Sequence, residues 1–199
     1  MTKNPSFDEE YYRQFYQQAD SRVESEMEIA SRGAFVCAYL KFLRQPVRSV
    51  LDLGCGLGQW QPIIQEHFPT ATYQGVEVSE YLCDSYGWEQ SSIEKYRSRK
   101  KYDLVICQDV LQYLPAPAAA RVIKNFHRLC RGALYLQVLT KTDWDRNCDQ
   151  ERTDGNVYKR SGEWYRQSLS THFTNVGGGV FVSERSNIVL YELESAYVL

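Results

Sequence analysis

The sequence predicts an α/β fold: a doubly wound, largely parallel sheet of seven strands, with a terminal antiparallel hairpin and helices ahead of the first strand. Two observations lead there. The apolar run Ser49-Val-Leu-Asp-Leu53 turns abruptly into alternate glycines, Gly54, Gly56 and Gly58, and then resumes with helix-compatible residues, which reads as strand, tight loop and helix. A second run, Lys100-Lys-Tyr-Asp-Leu-Val-Ile-Cys-Gln-Asp-Val-Leu-Gln-Tyr-Leu114, is of the kind buried on both faces of a parallel sheet. Around these two, strand-like and helix-like segments alternate.

In chain order, residues 1–46 form an N-terminal helical cap and residues 47–199 the sheet-bearing core of one domain. The first helix carries Tyr11, Tyr12, Phe15 and Tyr16, of which Tyr12, Phe15 and Tyr16 share a face. The second repeats Val23, Met27, Ala30, Ala34, Cys37 and Leu40 at helical steps, and Pro46 marks its end.

After the glycines, Trp60 to Phe68 reads as a helix with Pro62 in its first turn, and Ala71 to Val78 as a strand. Glu77, at the end of that strand, stands about 20 residues beyond the glycines, the separation at which doubly wound folds place an acid on ribose hydroxyls. A short helix, Tyr81 to Tyr86, is stopped by Gly87, and Trp88 to Glu94 reads as a third strand running into a loop.

Following the long apolar run, Pro115 and Pro117 break the chain before a helix from Ala118 to Cys130, and Ala133 to Leu139 is the fifth strand. Thr140 to Gly162 is polar and irregular. A helix capped by Ser161 and running to Phe173 follows, then two strands, Asn175 to Ser183 and Asn187 to Glu194, as an edge hairpin.

Ligands of open α/β sheets bind outside the carboxyl ends of the strands, here at Asp52, Gly54, Cys55 and Gly56 and at Glu77 and Val78. The glycine spacing chooses between nucleotides. A dinucleotide fingerprint needs a glycine at position 59, occupied by Gln59, and Asp52 would repel a pyrophosphate. The stretch Val50-Leu-Asp-Leu-Gly-Cys-Gly-Leu-Gly58 instead resembles the first motif of the class I S-adenosylmethionine-dependent methyltransferases, which are Rossmann-like seven-strand proteins.

That resemblance implies S-adenosylmethionine as cofactor. It also places Ser92 and Ile93 at the adenine, with Ser92 standing where relatives commonly carry an acid, and Cys107 and Gln108 beside the methionine moiety. It puts Asp109, Gln112 and Tyr113 on the acceptor side, with Gln112 and Tyr113 standing where many relatives carry histidines; for a phenol, thiol or protonated amine acceptor, Asp109 or Tyr113 is the nearest candidate to take its proton. It further implies that a helix ahead of the first strand closes over the cofactor, bringing Tyr16 or Arg32 to its methionine end.

The segment after the fifth strand emerges at the same sheet edge, so Trp144, Tyr158 and Tyr165 are expected to stack against the acceptor while Asp145 and Arg160 orient it. The competing reading makes these aromatics anchors of a polar loop.

Composition narrows the partner. A net charge of −2 without a long basic run disfavours nucleic acid and membrane surfaces and favours a small-molecule acceptor. The absence of an apolar leader or membrane-length stretch predicts a cytoplasmic protein. Six scattered cysteines without a C-x-x-C pair read as reduced thiols, and His67, His127 and His172 share no ligand spacing, so no metal site is expected. The function that fits is methyl transfer to a small molecule. The alternatives are a protein or RNA methyltransferase and a cofactor-binding module without turnover; a nicotinamide oxidoreductase is disfavoured by the glycines.

Overall fold

A computed structural model describes residues 7–17 and 24–195 of the chain. Seven strands form one sheet in the order β3-β2-β1-β4-β5-β7-β6. They are β1 (Ser49–Leu53), β2 (Thr72–Glu77), β3 (Glu89–Gln90), β4 (Tyr102–Gln108), β5 (Cys130–Gln137), β6 (Phe173–Asn175) and β7 (Val180–Ser183). The first five are parallel, and β7 runs antiparallel between β5 and β6. Strand order reverses between β2-β1 and β1-β4, so the crevice at the carboxyl end of β1 is the topological switch point.

Side chains alternate across this sheet with period two, and both faces are covered. Leu51 and Leu53 of β1 and Val105 of β4 join one apolar layer with Phe126 and Leu134. Val50, Leu104 and Ile106 join the other with Val36, Leu40 and Ile64.

The helices are α1 (Glu9–Tyr12), continued by a π-helical turn over Arg13–Gln17, α2 (Glu26–Phe42), α3 (Trp60–His67), α4 (Glu80–Tyr86), α5 (Ala116–Leu129), α6 (Lys141–Arg146) and α7 (Gly162–Leu169). Ser25 and Glu28 close a reciprocal capping box that starts α2. Its buried face is Ile29, Gly33, Val36, Cys37 and Leu40, rotated from the one expected, and Met27 and Ala30 are exposed. Gly33 explains the rotation: a Cβ there would lie 2.6 Å from Ile63 Cδ1, so α2 approaches α3 through that glycine. Val23 lies outside the described residues.

Other boundaries shift as well. Pro117 sits inside the first turn of α5, where its missing N–H costs nothing, and β5 starts at Cys130 directly from the helix end. The third strand shrinks to Glu89–Gln90. The hairpin expected from Asn175 to Ser183 and Asn187 to Glu194 is instead β6 and β7, separated by Gly177, Gly178 and Gly179, all at positive φ. Residues 187–191 form no strand: Ile188 and Leu190 pack inward while Val189 and Tyr191 stay exposed, an alternation with no neighbouring strand to pair with.

Candidate active site

The loop after β1 is shaped by its glycines. Gly54 has φ 77° and Gly56 φ 53°, backbone that residues with a Cβ resist. A Cβ on Gly54 would strike Val110 Cγ2 at 2.4 Å, whereas one on Gly56 would meet only Tyr12 Cε1, at 4.0 Å. Gly56 thus offers bare backbone to open space. That space is a cavity of about 730 Å³ at the carboxyl ends of β1, β2 and β4.

Glu77, buried at the end of β2, fixes the turn. Its Oε2 accepts from Gly56 N at 2.9 Å, and its Oε1 accepts from Val78 N at 2.8 Å and Ser79 N at 3.0 Å. The Tyr12 hydroxyl reaches the same Oε1 at 3.4 Å. A carboxylate offers about four lone-pair sites, so Oε2 keeps one for a ligand hydroxyl.

Asp52 lines the cavity but is itself buried, taking a hydrogen bond from the Tyr73 hydroxyl. Burial pushes its carboxyl up to about 7 despite that bond. On the β4 side, Gln108 Oε1 accepts from Trp60 Nε1 at 2.9 Å, which leaves the Gln108 amide to face Glu24 at 3.5 Å, and Glu24 is paired with Arg32.

Asp109 follows β4 with φ 55°, one of two described non-glycine residues at positive φ. Its backbone N–H is tied to Gln137 O at 2.9 Å, which holds the conformation. Burial raises its carboxyl to about 6, with the Glu24 charge adding in the same direction.

The N-terminal rings cover this space. Phe7, Tyr11, Tyr12, Phe15 and Tyr16 all line it, and the Tyr11 and Tyr113 hydroxyls meet at 2.7 Å. Burial lifts both phenols far above their usual range, so they stay protonated.

A family model described as a methyltransferase domain matches residues 28–186. The chain belongs to this methyltransferase family. Among curated relatives, the trans-aconitate 2-methyltransferase of Azoarcus sp. (strain BH72) is 25% identical over 186 residues, covering 84% of this chain and 69% of that one. The malonyl-[acyl-carrier protein] O-methyltransferase of Anoxybacillus flavithermus is 25% identical over 125 residues, covering 58% and 47%. Among solved structures, the plantazolicin methyltransferase BpumL, in complex with a desmethyl plantazolicin analogue and S-adenosylhomocysteine, superposes with a TM-score of 0.59 at 18% identity, covering 76% of this chain and 65% of that one. The chain thus spans about half to two thirds of the length of these three relatives.

Against this cavity the residues expected from the sequence divide into two groups. Asp52, Gly54, Cys55, Gly56, Glu77, Val78, Ser92, Ile93 and Gln108 all line it, as do Asp109, Gln112 and Tyr113. Tyr16 lines it, while Arg32 stays in its pair with Glu24.

None of the five expected acceptor residues does. Trp144 lies beneath Lys159 Nζ, 3.5 Å from its ring centre, and Asp145 is exposed and paired with Lys141. Tyr158 is strung by its N–H to Gln112 O at 2.7 Å. Arg160 donates to the carbonyls of Leu111 and Leu114 and to the Tyr165 hydroxyl, and Tyr165 is buried in the core. The Arg160 side chain and the Tyr158 backbone N–H tie the segment to the β4–α5 connection, while Trp144 and Asp145 contact Lys159 and Lys141 of the segment itself. The same segment still reaches the cavity, through Asp143, Cys148, Thr153 and Asp154.

The histidines also depart from expectation. His127 and His172 stack at 3.7 Å, both turned to Glu184, away from the cavity lining. Arg185 Nη2 lies 2.7 Å from His127 Nε2, a positive charge that opposes a metal cation there.

Proposed function

We propose that the chain transfers the methyl group of S-adenosylmethionine to a small-molecule acceptor held in the same cavity. The observation that carries this is continuity: the glycine turn, Glu77, the Gln108 end of β4 and the N-terminal rings all line one space of about 730 Å³. Small-molecule sites usually occupy about 300–1,000 Å³.

The residues present suit the cofactor. Gly56 leaves its backbone open to the cavity, and the spare lone pair of Glu77 Oε2 suits a ribose hydroxyl. Ser92 and Ile93 border the adenine position, and Gln108, held by Trp60, the methionine end. Bound S-adenosylmethionine supplies a methyl group on a sulfonium, a good leaving group that requires little of the protein beyond alignment.

The chain's own residues then orient the acceptor and exclude water. Holding two reactants in line contributes roughly 7–11 kcal/mol. The rings of α1 and its π turn close the cavity through the Tyr12–Glu77 and Tyr11–Tyr113 contacts. Asp109, with its carboxyl near 6, is ionised at neutral pH and stands ready to take the proton an acceptor sheds. The named acceptors of the two curated relatives, trans-aconitate and a carrier-borne malonyl group, support a small acceptor.

The test is incubation of the chain with methyl-labelled S-adenosylmethionine and a cell extract, followed by fractionation. Label in the small-molecule fraction is expected. Label confined to protein or RNA, or none above a Glu77→Ala control, contradicts the proposal.

A further inference from the structure

We infer that the acceptor is an organic amine, bound in its ammonium form between Asp109, Asp154 and the tyrosine wall, and that Asp109 takes one ammonium proton to free the nitrogen lone pair for methylation. This rests on the methyltransferase reading above. The first observation is charge. Among the described residues, the cavity lining contains no Lys, Arg or His. Of the carboxylates beyond Asp52 and Glu77, Glu24 is paired with Arg32, Glu94 with Arg121, and Asp143 is occupied in capping α6 through Thr140. Asp109 and Asp154 have no ion-pair partner among the described residues. Arg160, the guanidinium of the neighbouring segment, is committed to the Leu111 and Leu114 carbonyls.

The second observation is a pair of orphaned acceptors. Gln112 Oε1 and Asp154 Oδ2 are buried without a hydrogen-bond partner, and both residues line the cavity. Gln112 is only 4% exposed, and its amide nitrogen already faces Asp109 Oδ1 at 3.4 Å, which fixes Oε1 as the atom left over. A buried acceptor without a donor is costly, and a ligand that brings N–H or O–H groups relieves it. An alcohol brings one such hydrogen per oxygen. An ammonium brings up to three together with a positive charge.

The third is the wall itself. Tyr11, Tyr16 and Tyr113 line the same cavity, and Phe7 packs edge-on against Tyr11 and Tyr113. Ring faces attract organic cations, more strongly where water is excluded. A carboxylate acceptor, the kind named for the curated relatives, would meet like charge and no cation. Rings, two carboxylates without an ion-pair partner among the described residues and two unfilled acceptors converge on an amine.

The test is calorimetry on the full chain saturated with S-adenosylhomocysteine, at neutral pH, with three probes of matched shape: phenethylamine, hydrocinnamate and phenethyl alcohol. The amine is expected to bind about tenfold or more tightly than the acid or the alcohol. Asp154→Asn and Gln112→Leu should each remove most of that preference, while S-adenosylhomocysteine affinity stays within about twofold, which reports an intact fold. Equal or tighter binding of the acid or alcohol, no binding by all three probes, or an unchanged preference in Asp154→Asn overturns the inference while leaving the methyltransferase reading intact. Failure of the parent to bind S-adenosylhomocysteine overturns that reading and this one together.

Discussion

The hydroxyls of Tyr11 and Tyr113 meet at 2.7 Å, joining the N-terminal helix to the 3₁₀ turn after β4 across 102 residues of sequence. Phe7 lies edge-on to both rings, 5.1 Å from Tyr11 and 5.3 Å from Tyr113. The cap over the cavity is thus held by a polar contact set in an aromatic cluster. Tyr113→Phe keeps the ring and deletes the contact. It is expected to lower kcat/KM for the acceptor by about three- to tenfold, the scale of one neutral hydrogen bond, with little change in S-adenosylhomocysteine affinity. Steady-state kinetics on the variant checks this; unchanged kcat/KM would mean that the cap is held elsewhere.

Glu77 combines two duties that Glu77→Ala removes together. It faces the cavity where the proposed ribose would lie, and it accepts from the backbone N–H groups of Gly56, Val78 and Ser79. Cofactor affinity should fall about ten- to a hundredfold. The melting temperature should fall too, since three N–H donors lose their acceptor. Calorimetry and thermal melts read the two effects separately.

The two raised carboxyls set opposite pH trends. Folded Asp52 holds its proton more tightly than the unfolded chain, so its contribution to stability is fully present below about 3.8 and is lost as pH rises through about 7. In Asp52→Asn that loss disappears, and the melting temperature should depend less steeply on pH across this window. Asp109 acts on activity instead. It must be ionised to take a proton, so kcat/KM should rise with pH through about 6, and Asp109→Asn should remove that limb. A pH profile unchanged in the variant would assign the limb to another group.

Arg160→Ala tests the fastening of the segment after β5. The guanidinium bonds Leu111 O, Leu114 O and the Tyr165 hydroxyl, so its loss should lower the melting temperature by several degrees. It should also raise the acceptor KM, because Thr153 and Asp154 reach the cavity from the same segment. A stability loss with KM unchanged would separate the strap from the acceptor site.

What the sequence disclosed depended on how local each signal was. β1, the glycine turn and Glu77 were legible because strand, loop and acid follow one another in a fixed spacing that the backbone imposes. The acceptor wall was not. Trp144 and Tyr165 look like pocket residues by type, yet Lys159 and the core claim their rings through contacts that no spacing encodes, and Tyr158 is held by its backbone N–H to Gln112 O. Of the two residues with unfilled acceptors, Gln112 stands in the stretch that the resemblance puts on the acceptor side, whereas Asp154 carries no motif at all.

Two misplacements did have readable signals. Thr140-x-x-Asp143 is a capping box, and it starts α6 inside the stretch expected to be irregular. Gly177, Gly178 and Gly179 interrupt the expected strand from Asn175 to Ser183 and form the turn between β6 and β7. By contrast, the alternation of Ile188 and Leu190 with Val189 and Tyr191 imitates a strand, and only the missing sheet neighbour reveals that it is not one.

The central claim, that the space beside the β1 turn is the cofactor site, is tested most directly by calorimetric titration of the parent and of Gly56→Val with S-adenosylhomocysteine. At φ 53° the valine is strained, and its side chain projects into the space that a Cβ at this position leaves open. One-to-one binding by the parent and none by the variant is the predicted result. Equal affinity in the two proteins would place the cofactor elsewhere, and no binding by the parent would contradict the account outright.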